Sequence, residues 1–169
     1  MRQIWLLVGG LFLTLMLVGC STPTLRSLKV SKIEDPTPFP CGLAQEPCTV
    51  VIKASVTDGQ CVFTLPGSVH VMGAGQGDRT VVWVLDSQQA FYRFTFGSVK
   101  PVGANAGRWA GEFVRPARPR DTHYQVTDLR TPGSVDVPFD YQLEANVTSW
   151  FGGGETKACG VDPVIVNKG

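Results

Sequence analysis

Val135, Val137, Phe139, Tyr141, Leu143, Ala145 and Val147 are all apolar, and Asp136, Pro138, Asp140, Gln142, Glu144 and Asn146 separate them. A period of two held over this length predicts a half-buried strand, because successive side chains on a strand point to opposite faces. Pro138 lacks a ladder donor and marks an edge or a bend. The same period recurs upstream. Val50, Ile52, Ala54 and Val56 share one face, and Cys61, Phe63 and Leu65 follow beyond the turn Thr57-Asp58-Gly59. Thr80 to Leu85 is a continuous apolar run suited to a central strand, and Tyr92, Phe94 and Phe96 fall together. Pro66-Gly67, Gly73 to Asp78, Pro132-Gly133 and Gly152 to Gly154 supply turns. No segment after residue 19 has the pattern of an amphipathic helix. The fold class expected is an antiparallel β-sandwich, immunoglobulin-like or transthyretin-like in outline.

The amino terminus has a different character. Met1-Arg2-Gln3 carries a positive charge, and Ile4 to Gly19 is an uncharged stretch of sixteen residues. That is short of the roughly 20 residues a membrane-spanning helix needs, and it reads as a secretory signal. It ends in Leu17-Val18-Gly19-Cys20. These four residues resemble the lipobox of bacterial lipoproteins. The resemblance implies that the Cys20 thiol is lipidated, that residues 1–19 are removed, and that the new amino terminus is acylated. Several acyl chains make a stable anchor where one binds only marginally. Ser21 stands where inner-membrane lipoproteins of enteric bacteria often carry Asp, which points to the outer membrane, facing the periplasm. The organisation expected is a signal peptide over 1–19, a lipidated tether over 20–45 and a β-sandwich domain over 46–169. Pro23, Pro36, Pro38 and Pro40 favour an extended tether, although Leu28, Val30 and Ile33 have the spacing of a first strand.

Removing residues 1–19 takes Arg2 with them and leaves 14 basic against 14 acidic side chains. A neutral chain lacks the basic footprint of a nucleic-acid binder. With Cys20 used for lipidation, Cys41, Cys48, Cys61 and Cys159 remain, an even number for an exported chain. Three pairings are possible. We favour Cys41–Cys48 as a local clip and Cys61–Cys159 as a tie between an early strand and the last one. A four-cysteine zinc site would need paired knuckles of the Cys-x2–4-Cys type, and the spacing supplies none.

Chemistry-bearing motifs are sparse. The chain has two histidines, His70 and His123, and neither a Gly-x-Ser-x-Gly elbow nor a His-Glu-x-x-His pair. Asp136, Asp140 and Glu144 line one strand face, but a four-residue spacing puts neighbours roughly 13 Å apart. Catalytic carboxylate pairs sit about 5–9.5 Å apart. Gly73-Ala74-Gly75-Gln76-Gly77-Asp78 precedes a strand rather than a helix, so it predicts a flexible hairpin loop and not a phosphate cradle. His70 and Met72 share a strand face and are weak candidates for soft-metal ligands. The expectation is a non-enzyme with no metal and no cofactor.

Contact surface remains. Trp150 and Phe151 end the long strand just before three glycines, and large aromatics at a loop are candidate partner contacts. Trp109, set among Arg108, Arg115, Arg118 and Arg120, is a second. The function expected is a membrane-anchored, non-catalytic interaction or structural module that touches another envelope protein. The alternative is an envelope inhibitor, or a lipoprotein that binds a small ligand or a metal.

Overall fold

The computed structural model describes residues 29–33, 38–42, 47–73, 76–150, 154, 156–161 and 164–169. Twelve strands carry the described chain: β1 Lys29–Ile33, β2 Phe39–Cys41, β3 Cys48–Thr57, β4 Gln60–Leu65, β5 Val69–Met72, β6 Arg79–Asp86, β7 Tyr92–Pro101, β8 Phe113–Arg120, β9 His123–Asp128, β10 Pro138–Ser149, β11 Thr156–Val161 and β12 Val164–Lys168. The helical part is slight. One turn, α1 (Trp109–Glu112), and two 3-10 turns sit between strands.

The strands form two sheets packed face to face, an all-β sandwich. The first has the order β1-β4-β3-β6-β9-β8. In the second, β10 is flanked by β7 on one edge, with β11 and β12 following one continuous register along the other; β5 and β2 lie beyond β12. The alternation of β10 is realised in space. Phe139, Tyr141, Leu143, Ala145 and Val147 are buried, and their neighbours in sequence are not. Phe63, Trp83, Phe96 and Ile52 meet them from the core. The indole N–H of Trp83 donates to the Tyr141 hydroxyl at 2.7 Å, so the buried indole donor has a partner.

Both disulfides join the sheets. Cys41 of β2 bonds Cys48 of β3, and Cys61 of β4 bonds Cys159 of β11. The inward parity of Cys61 with Phe63 and Leu65 positions it for this.

The structure departs from the sequence expectation in four places. The sheets are mixed, since β1–β4, β3–β6, β5–β12 and β2–β5 are parallel pairs. The reason is the crossover: β4 leads into β5 in the other sheet, and the chain returns as β6 beside β3 in the same direction. The loop 73–78 is therefore a crossover between sheets and not a hairpin. Strand β10 starts at Pro138 rather than Val135. A 3-10 turn over Pro132–Ser134 and a positive φ of 58° at Asp136 precede it, and Val135 makes only an isolated bridge to Asn167. Lastly, the chain joins the sheets before residue 46. β1 adds to β4 and β2 adds to β5, with Pro40 tolerated on the edge strand β2.

Strand registers fix the two ends of the sandwich. Lys29 pairs with Cys61, Thr57 with Gln60 and Lys53 with Asp86. The start of β1, the Asp58-Gly59 turn and the loop after β6 thus lie at one end. Ser149 pairs with Tyr92 and Thr148 with Thr156, and the Gln89 side chain spans to the backbone of Val56 at 2.6 and 3.0 Å. The end of β10 is at that same end, the Trp150 end. Cys41, Met72, Arg79, Asp128, Pro138 and Lys168 mark the opposite one, the Arg130 end.

Candidate contact surface

At the Trp150 end, the chain leaves β10 and Trp150 projects into solvent with 72% of its surface exposed. Its backbone N–H donates to the carbonyl of Phe91 at 3.1 Å. That bond sets a second large aromatic, 57% exposed, on the neighbouring segment. Beside them lies an open groove of about 350 Å³ lined by Leu85, Asp86, Tyr92, Phe94, Thr122 and Trp150, among others. Arg93 borders it and is held to Asp121 by an ion pair of 2.7 Å, both side chains being more than half exposed. The groove offers an apolar floor of Leu85 and Phe94, an aromatic rim and a few polar groups. Such a surface can bind, and the hydroxyl of Thr122 in its lining lies 3.0 Å from Nδ1 of His123. Phe151 lies outside the described residues.

Trp109 has different surroundings. It is partly buried, its ring 4.2 Å from that of Phe113 and 5.5 Å from that of Tyr141. It covers the core near the Arg130 end, so the structure does not bring it together with Trp150. The arginines around it are also dispersed. Arg108 donates to the Gly133 carbonyl at 2.6 Å and lies over the Phe139 ring, while Arg118 donates to the Phe96 carbonyl at 2.7 Å. Arg115, Arg118 and Arg120 are exposed along the edge strand β8, interrupted by Pro116 and Pro119. Charges and prolines on an edge strand oppose pairing with another sheet.

His70 and Met72 do share the outward face of β5. His70 lies 3.1 Å from the Ser68 hydroxyl, and Lys168 stands opposite Met72 in register. Burial and then the Lys168 charge hold the His70 pKa below its ordinary value. Among the described residues, no three His, Cys, Asp or Glu side chains gather as a metal site would require. Two of the three strand carboxylates have polar side-chain partners. Asp136 pairs with Lys168, Asp140 lies against Gly103, and Glu144 accepts from Ser98 and Lys100.

Sequence reasoning missed the most polar part of the interior. At the Arg130 end, Glu112, Asp128, Arg130, Ser134 and Asn167 are all buried. Glu112 accepts from the Thr131 N–H at 3.0 Å, the Thr131 hydroxyl at 2.6 Å, the Ser134 hydroxyl at 2.7 Å and the Asn167 amide at 2.7 Å. The Asn167 amide N–H₂ also reaches Asp128 at 3.3 Å. The Arg130 guanidinium donates to the carbonyls of Met72, Gly73 and Gly77, which clasps the crossover loop. A signal did exist. Asp128 continues the inward parity of Val126, and Asn167 continues that of Ile165.

Burial pushes the Asp128 carboxyl up to about 7, and the adjacent Glu112 adds to this against hydrogen bonds from Arg130 and Asn167. Unfolded, the same group loses its proton near 3.8. Between these values the native state binds more protons than the unfolded one, so this residue's contribution to stability rises as pH falls from 7 towards 4. The slope approaches about 1.4 kcal/mol per pH unit for one proton. Urea midpoints of the wild type and Asp128→Asn, compared at pH 7 and pH 4.5, should show the extra acid stabilisation in the wild type alone. Identical pH profiles would contradict it.

No protein-family model matches the chain, and no curated protein matches it.

Proposed function

We propose that this protein is a lipid-anchored, non-catalytic contact module of the bacterial envelope, attached through Cys20 and touching its target with the Trp150 end. The observation that carries this reading is the exposure of Trp150, 72%, on the rim of the groove. Leaving a large aromatic in water forgoes the burial that Trp83 and Tyr141 obtain in the core, and exposed tryptophan is a preferred anchor in contacts. The pairing of Asp136 with Lys168 and of Glu144 with Ser98 and Lys100 supports a structural use of those carboxylates. Outer-membrane placement with the domain in the periplasm follows from Ser21 after the lipidated cysteine. A photo-crosslinking residue at position 150, tested in intact envelopes, should give an abundant adduct. The same residue at position 51, where Val51 is 45% exposed on an outer sheet face, should give little. Equal or absent labelling from both positions would contradict the proposal.

The groove favours one other reading, a small-ligand or inhibitor lipoprotein, since about 350 Å³ lies within the size range of ligand sites. That reading requires a soluble compound that raises the melting temperature of the wild type and not of Trp150→Ala.

A further inference from the structure

Resting on the reading that Cys20 is the anchor, we infer that the Trp150 end faces the bilayer and that Trp150 and Phe91 enter its interfacial layer as a second attachment. Nine peptide steps separate Cys20 from Lys29, the first residue of β1, and fully extended they span about 30 Å. Lys29 is at the Trp150 end, by its register with Cys61. β10 alone has 12 residues, so the sandwich is nearly 40 Å long. Through the Cys61–Cys159 bond and the pairing of Cys159 with Ala145, Lys29 is level with Ala145, nearer in register to Trp150 than to Pro138. The shorter path from the tether to the lipid therefore runs to the Trp150 end, and setting the Arg130 end on the membrane would draw the segment from Cys20 close to its full extension.

The chemistry of that end fits the same partner. Tryptophan is enriched at membrane–water interfaces, where an amphipathic ring sits at headgroup level. Trp150 is 72% exposed and Phe91 57%, side by side on neighbouring segments. Charge at that end is mixed, with Asp58, Asp86 and Asp121 beside Lys29, Lys53, Arg93 and Lys157. The feature of that end that matches an interfacial layer is thus the aromatic pair. An acyl anchor supplies affinity, and the aromatic pair fixes orientation.

The test uses the lipidated protein reconstituted in phosphatidylcholine vesicles, with or without acyl chains brominated near the headgroup. Trp150 is one of three tryptophans beyond residue 19, the others being Trp83 and Trp109. In brominated vesicles the wild type should lose most of the emission due to Trp150, and Trp150→Phe should show little quenching. Phe91→Ala should weaken the quenching several-fold without unfolding the protein. Flotation of the vesicles scores attachment separately. Failure to float with the lipid overturns the anchored reading and this inference together. Flotation with Trp150 quenched by aqueous iodide instead of lipid bromine overturns the orientation alone. So does a position-150 adduct in native envelopes that contains a protein and no lipid.

Discussion

Glu112→Ala is expected to cost about 3–5 kcal/mol, because it leaves several buried donors without an acceptor. The Glu112 carboxylate receives four hydrogen bonds from Thr131, Ser134 and Asn167, and only 3% of the residue is exposed. Bulk solvent does not reach those donors at this burial, and the side-chain volume is lost as well. Domains of this size have about 5–15 kcal/mol in hand, so the variant should sit close to unfolding at ambient temperature. Glu112→Gln keeps one acceptor oxygen and should lose less. Equilibrium urea unfolding of the three proteins decides the matter, and a loss below about 1 kcal/mol for the alanine variant would show that the cluster contributes little.

The second large effect concerns the two covalent ties. Replacing Cys61 and Cys159 together by alanine should cost about 4–5 kcal/mol in the chain-entropy account, because their sequence separation of 98 closes a long loop. Replacing Cys41 and Cys48, separated by 7, should cost about 2–2.5 kcal/mol. Each bond joins one sheet to the other, so the contrast is one of loop length more than of location. Denaturant unfolding of both double variants measures it. Equal losses would contradict the loop-length argument.

These two features differ in how far they could be read before folding. The β-sandwich was legible because period-two burial is a local property, and Phe139 to Val147 displays it without interruption. The disulfide pairing was legible in part, since Cys61 lies in phase with Phe63 and Leu65. The mixed sheets were not. Parallel pairing of β3 with β6 depends on β5 leaving for the other sheet, and nothing within Val69 to Met72 encodes which sheet it joins. The start of β10 was misplaced because Val135 and Val137 keep the alternation while the backbone at Asp136 breaks it. The buried polar cluster assembles residues as far apart as Glu112 and Asn167, and only their inward parity hinted at it. At the candidate surface, Trp150 was found from its position before three glycines. Phe91 has no local sequence signal, because its place beside Trp150 is set by a backbone hydrogen bond between segments far apart in the chain. Trp109 looked like a surface aromatic among arginines, and its stacking on Phe113 and Tyr141 is a tertiary fact.

The direct test of the lipid-anchored reading is the intact mass and amino-terminal analysis of the protein extracted from its native membranes. The account predicts a chain beginning at Cys20, with a mass raised by a thioether-linked diacylglyceryl group and an amide-linked acyl chain. A chain that retains residues 1–19, or that begins elsewhere and carries no lipid, would contradict it.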